Sequence, residues 1–271
     1  MIATTGSIGL AGGIGSGGAP GMTTSSAGFG VGSVGLQLGF VAIAAVLIIV
    51  TVWAAGAASR ACGDSPATAG RRQRRVAMVA LAWVAAVSTL AWTGVLAQWS
   101  MRPPPMILLF VAIVAGGWWI ARSELGDRLA RGLPLALLVG VQSFRMPLEL
   151  VMHRAYTEGV MPEQMSYSGS NFDIVTGATA LLLAAAIWRF AAVPRVVVLA
   201  WNLLGLALLV NILVIAMRST PMFEAYGPDH VNTFVTRAPY VLLPTVMVLA
   251  AWAGHLVVLR ALRRPPDPAA C

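Results

Sequence analysis

The sequence predicts an all-α polytopic membrane protein, a seven-transmembrane-helix bundle with its N-terminus outside and its C-terminus in the cytoplasm. Three observations predict it. The chain is 58% hydrophobic and only 10% charged over 271 residues, with a mean hydropathy of +0.80, more apolar surface than a water-soluble domain of this size can hide. Apolar runs of about twenty residues, the length that crosses a hydrocarbon layer, recur seven times. Arginines are distributed unevenly between the connectors, as the positive-inside rule expects of a multi-pass protein.

Residues 1–35 carry no charge and are dominated by Gly, Ser, Thr and Ala. Such a segment buries too little apolar surface to offset chain entropy, so a disordered or extended periplasmic arm is expected. A cleaved signal peptide fits poorly, because no basic stretch and no compact apolar core precedes Leu36. The spans then fall near residues 36–58, 76–98, 106–122, 133–153, 172–190, 196–217 and 239–260, making 36–264 the transmembrane domain and 265–271 a cytoplasmic tail.

Direction follows from charge. The connector 59–75 carries Arg60, Arg71, Arg72, Arg74 and Arg75, and the connector 122–132 carries Arg122, Arg128 and Arg131. Arg189 and Arg195 flank the turn after span five, and Arg260, Arg263 and Arg264 end span seven. Only Arg102, Arg154, Arg218 and Arg237 fall on the other side, with Arg145 inside the membrane. The arginine-rich side is therefore read as cytoplasmic. Span four is the most polar, and a re-entrant segment there would leave six crossings. That alternative would move the last five arginines outside and weaken the bias, so seven crossings are preferred. Tryptophans agree: Trp53, Trp118, Trp119, Trp188, Trp201 and Trp252 sit near cytoplasmic ends, Trp92 and Trp99 near an outer one. Gly116, Gly117, Gly177, Ala180 and Ala184 would let helix backbones approach closely.

Composition also argues against several functions. All 18 basic residues are arginine, a usage that fits a GC-rich bacterial genome and hence the bacterial inner membrane. Without lysine there can be no retinal Schiff base. The net charge of +8 flanks the spans, where it would meet anionic headgroups, and no nucleic-acid partner is expected. Cys62 and Cys271 both fall on the cytoplasmic side, so no disulfide is expected.

The residues that carry chemistry lie in span four. Arg145, Glu149 and His153 recur at a four-residue interval and form one helical stripe running from mid-membrane outward, with Gln142 extending it inward. Ionisable groups at membrane depth cost roughly 2.5–3.5 kcal/mol each on insertion scales, and so face a protein interior or a wet cavity. Pro147 removes the hydrogen bond to the Ser143 carbonyl and should kink the helix. Asn171 and Asp173 open span five in the same leaflet. Either could cap that helix, and Asp173 could instead meet Arg145 or His153. In span six, Asn211 could join the cluster, whereas Asn202 reads as an interhelical hydrogen-bonding residue. The predicted ligand or proton site is thus Gln142, Arg145, Glu149, His153, Asn171, Asp173 and Asn211. Arg145 and Glu149 could equally be a structural ion pair that fixes helix register.

No cofactor or metal is expected. His153 near the outer boundary and His255 near the inner one would be roughly 20 Å apart along the membrane normal, too far to share a haem iron. The spacing of His153, His230 and the nearby carboxylates matches no zinc motif. No phosphate-binding glycine loop and no nucleophile with an adjacent base is evident.

The strings Phe144-Arg145-Met146-Pro147-Leu148-Glu149 with His153, Asn171-Phe172-Asp173 with Gly177, Trp201-Asn202-Leu203-Leu204-Gly205 with Asn211, and Pro239-Tyr240-Val241-Leu242-Leu243-Pro244 with His255 resemble a family of uncharacterised bacterial inner-membrane proteins. The resemblance covers roughly residues 130–262. It implies a shared polytopic fold and brings no activity.

Three functions compete. The first is binding of a small polar or anionic ligand, or coupling of a proton, in an outward-facing pocket around Arg145, as a transporter or a sensor would need. The second is an accessory or scaffold subunit, with residues 1–35 contacting other membrane subunits. The third is a membrane enzyme using His153 with Asp173 or Glu149.

Overall fold

A computed structural model describes residues 30–190 and 193–263. Residues 1–29 of the predicted arm, Arg264 and the tail 265–271 lie outside the described residues. Within them the chain is helical, with no strand. The helices are α1 (Val34–Ala61), α2 (Pro66–Trp92), α3 (Pro105–Arg122), α4 (Glu124–Gly132), α5 (Leu135–Gly140), α6 (Arg145–Thr157), α7 (Asp173–Arg189), α8 (Arg195–Arg218) and α9 (Leu249–Leu262). A 3₁₀ stretch, Val141–Phe144, joins α5 to α6, and a π-helical stretch, Leu243–Val248, leads into α9. Six of these continuous segments, 34–61, 66–92, 105–122, 135–157, 195–218 and 243–262, are long and apolar enough to cross a membrane. The chain thus has the build of a multi-pass membrane protein.

Local chemistry explains where the elements depart from the apolar runs. α2 begins at Pro66, ten residues before the predicted span. Ser65 accepts a hydrogen bond from the Thr68 amide and Pro66 occupies the first turn, where its missing N–H costs nothing. The connector read as a loop is helical as α4, with Ser123 as N-cap and Glu124 and Asp127 in the first turn, facing the positive end of the helix dipole. Pro147 makes itself felt one turn earlier, where the 3₁₀ stretch replaces the α-helical ladder that its ring interrupts.

Two apolar cores hold the bundle. One joins α1, α2, α3, α6, α8 and the π stretch, with Phe40, Met106, Ile113, Leu209 and Met247 almost fully buried. A smaller one at the arginine-rich end joins α4, α5, α7, α8 and α9 around Val139, Ala180, Val198 and Val258. That end is closed by ion pairs. Asp64 meets Arg128 at 2.6 Å, Glu124 meets Arg72 at 2.8 Å and Arg128 at 3.0 Å, and Asp127 meets Arg131 at 2.8 Å and also Arg260. Pairs this close to water contribute at most about 1 kcal/mol each, so they orient α4 more than they stabilise it. Cys62 is disulfide-bonded, contrary to the thiol expected from its position; Cys271, the other cysteine in the sequence, lies outside the described residues.

At the opposite end, residues 158–172 are not a solvent loop. Val160, Met161, Gln164, Met165, Ser166 and Asn171 are buried, and α7 begins only at Asp173, part-way into the bundle. Irregular backbone at that depth is tolerated because protein, not lipid, surrounds it. Residues 30–33 are likewise held: Gly30 N–H donates to the Gly159 carbonyl at 3.2 Å and Tyr240 O–H to the Val31 carbonyl. Ser33 gives Glu158 two hydrogen bonds, from its amide at 2.6 Å and its hydroxyl at 2.8 Å, and Arg154 adds a third at 2.7 Å.

The Ser33 amide, and then Arg154, hold the Glu158 carboxyl down at about 2. Because that value is below the ordinary 4.5, the stabilisation from this latch is complete above the unfolded value and is lost as pH falls through the folded one. A spin label at position 31 is therefore expected to gain mobility as pH is lowered from the ordinary carboxylate range toward 2. Glu158→Gln should show the mobile spectrum at neutral pH, and a label indifferent to both changes would refute the latch.

Candidate functional site

Helices α6, α7, α8 and α9 converge on Arg145, which is 1% exposed. Its Nε donates to Asp173 Oδ2 at 2.9 Å and its Nη2 to Asp173 Oδ1, the bidentate fork that suits a carboxylate. Nη1 donates to the Gly205 carbonyl at 3.3 Å and lies 2.9 Å from His255 Nε2. Arginine can only donate, so His255 Nε2 accepts, and the ring proton must be on Nδ1. Nδ1 then donates to Asn202 Oδ1 at 2.8 Å, while Asn202 Nδ2 returns a bond to the His255 carbonyl at 3.3 Å. The histidine is a neutral relay between a guanidinium and an amide.

Two glycines make this convergence possible. A Cβ on Gly205 would lie 2.5 Å from His255 Cε1, and one on Gly177 would strike the backbone of Arg145 and Met146. Only residues without a side chain let α8 present its carbonyl to the guanidinium and let α7 press against α6.

Glu149, also 1% exposed, is organised differently. Among the described residues no basic side chain forms an ion pair with it. Asn171 Nδ2 faces both of its oxygens, at 2.8 and 2.9 Å, and also the Met165 carbonyl at 3.0 Å. Asn171 Oδ1 accepts from the Asp173 amide at 3.1 Å, so Asn171, one residue before the N-cap Phe172, satisfies the first amide of α7 while steadying the carboxyl. Glu149, Arg145, Asp173 and Asn232 line one cavity of about 40 Å³, whose other walls are apolar residues, most of them from α3, α6, α8 and the π stretch. Drug-sized ligands need roughly 300–1,000 Å³. This cavity has room for a few waters.

The predicted residues therefore separate into groups. Arg145 and Asp173 pair, and Glu149 and Asn171 adjoin them. Arg145 and Glu149 do not form the ion pair that helical spacing allowed. Gln142 is buried one turn inward, with Nε2 on the Ala251 carbonyl at 3.2 Å and Oε1 without a partner among the described residues. His153, on α6, faces the segment 158–172 instead, where Nδ1 meets Ser166 and Ser168 hydroxyls at 3.1 and 3.0 Å and its ring stacks on Tyr167 at 4.4 Å. Asn211 also serves that segment, donating to the Ser170 carbonyl at 2.9 Å.

Two members were missed. His255 was read as interfacial, but α9 brings its imidazole, fully buried, against Arg145. The signal was its chemistry: a histidine in a lipid-facing helix needs a partner, and Asn202 was free to supply one. Asn232 lies in the connector before the π stretch, is 1% exposed and lines the same cavity as Glu149, with neither side-chain amide atom hydrogen-bonded. A connector asparagine carries no sequence mark of burial. No cluster of three or more His, Cys, Asp or Glu that could hold a metal occurs among the described residues.

A domain of unknown function, DUF8737, matches residues 103–263. The match spans more than half of the chain, and the chain belongs to that family. No curated protein and no solved structure matches it. The matched range contains every residue of the Arg145 and Glu149 clusters and leaves α1 and α2 outside.

Removing one partner of a buried pair strands the other charge, at a typical cost of 3–5 kcal/mol. Asp173→Leu is expected to lose about that much in reversible unfolding from detergent, whereas adding Arg145→Met to it should recover part of the loss. A double variant no more stable than Asp173→Leu alone would show that the pair is not the stabilising unit.

Proposed function

We propose that this chain is a seven-crossing protein of the bacterial inner membrane, N-terminus outside, that takes up and releases a proton at Glu149 through a water-sized cavity opening to the outer side. The arginine distribution supports that orientation. α7, with 17 residues, spans about 25 Å, and the buried segment 158–172 completes its crossing. The single observation that carries the functional reading is the unequal treatment of two buried charges. Arg145 has all three guanidinium nitrogens engaged by protein, which leaves little for an anionic ligand. Glu149 forms no ion pair among the described residues, sits on the cavity, and is held by one amide.

A buried carboxylate without a direct ion-pair partner is costly, and binding a proton lowers that cost. Asp173, fixed by Arg145, keeps its charge in place while Glu149 changes state. Transport and sensing both need such a group, and a cavity of about 40 Å³ suits a proton or water better than an organic solute.

Infrared difference spectroscopy on the reconstituted protein across an acid-to-alkaline pH step tests this. One protonated-carboxyl band per chain is expected to disappear on alkalinisation, to be missing in Glu149→Gln, and to survive in Glu163→Gln, a change in the outer loop. A band unaltered by Glu149→Gln would overturn the assignment.

A further inference from the structure

The geometry points to a binding site for the phosphate headgroup of an anionic phospholipid at the arginine-rich end of the α3–α9 interface, an inference that rests on the membrane reading but not on Glu149. The two helices close on each other where Gly117 abuts Trp252, whose Nε1 donates to the Val114 carbonyl at 3.1 Å. Beyond that contact they part, leaving a groove of about 440 Å³ lined by Trp118, Arg122, Leu256, Leu259, Arg260 and Arg263, with Ala121 at its base.

The groove is basic, and its arginines are not equivalent. Arg260 is committed to structure: Nη1 donates to the Ala121 carbonyl at 2.7 Å and the Ser123 carbonyl at 3.2 Å, and Nη2 to Asp127. It thereby neutralises the carbonyl ends of α3 that would repel an anion. Arg122 lies over the Trp118 ring at 4.4 Å, which fixes the guanidinium without using its N–H donors. Among the described residues no carboxylate pairs with Arg122 or Arg263. Two guanidinium forks without a carboxylate partner, at the mouth of a groove between helix ends, match the chemistry of a phosphodiester.

The apolar surroundings favour a lipid over a free anion. Leu108, Val111, Val114, Trp118 and Arg122 recur at helical spacing along α3, and the four apolar members are exposed. They form one track from the hydrocarbon region to the guanidinium. Leu256 and Leu259 supply the facing wall. An acyl chain can lie on that track while its headgroup meets the arginines, an arrangement that free phosphate cannot exploit.

Native mass spectrometry of the detergent-solubilised protein, after exchange against mixed micelles of phosphatidylglycerol or phosphatidylcholine, tests the site. Phosphatidylglycerol should be retained preferentially, and Arg122→Gln with Arg263→Gln should weaken its retention about thirtyfold, in keeping with two surface arginines. Arg74→Gln with Arg75→Gln, the same charge change at the start of α2, should leave retention unaltered, and circular dichroism confirms that each variant is folded. Equal retention of the two lipids, equal loss in both double variants, or displacement of phosphatidylglycerol by inorganic phosphate would each overturn the proposal.

Discussion

The rest of the structure depends on the burial of the Arg145 guanidinium. A charge in that position cannot be left to hydrocarbon, and its five N–H donors demand acceptors in a fixed plane. Asp173 supplies two from α7, Gly205 one from α8 and His255 one from α9, so that a single side chain on α6 sets the mutual register of four helices. Glycines at 177 and 205, a histidine in an apolar helix and an asparagine behind it all follow from this one requirement.

The same requirement separates structure from chemistry. Hydrogen-bonding demand is met at all three guanidinium nitrogens of the arginine. One helical turn along α6 it is met only in part: Glu149 leans on Asn171, and among the described residues the Asn232 side-chain amide has no partner beside the cavity. Unmet demand of this kind is where water and protons can enter. The segment 158–172, pinned by His153 on Ser166 and Ser168 and by Asn211 on Ser170, stands over the polar cluster.

Apolar length and arginine placement made the helical class legible, and four-residue spacing singled out the stripe on α6. Spacing along one helix, however, says nothing of what faces it. The stripe predicted Arg145 beside Glu149, and the structure instead turns the guanidinium across the bundle to Asp173 and His255. Depth was misjudged at His255 because the segment that carries it starts at 243 rather than 239 and the segment that carries Arg145 runs to 157 rather than 153. Caps were under-read: Ser65-Pro66 and Ser123-Glu124 mark the starts of α2 and α4, although the surrounding charge suggested loops. Asn232 was illegible, since its burial arises from tertiary packing of a connector.

The π-helical stretch has one more consequence. Its wider turns turn the Thr245 carbonyl toward a neighbour, and the indole of Trp83 donates to it at 2.9 Å. Trp83 belongs to α2, outside residues 103–263 that define the family. The shared domain therefore presents an acceptor that its own residues do not cover. Here a helix from the preceding hairpin serves as its complement, in the way a borrowed strand completes an open sheet.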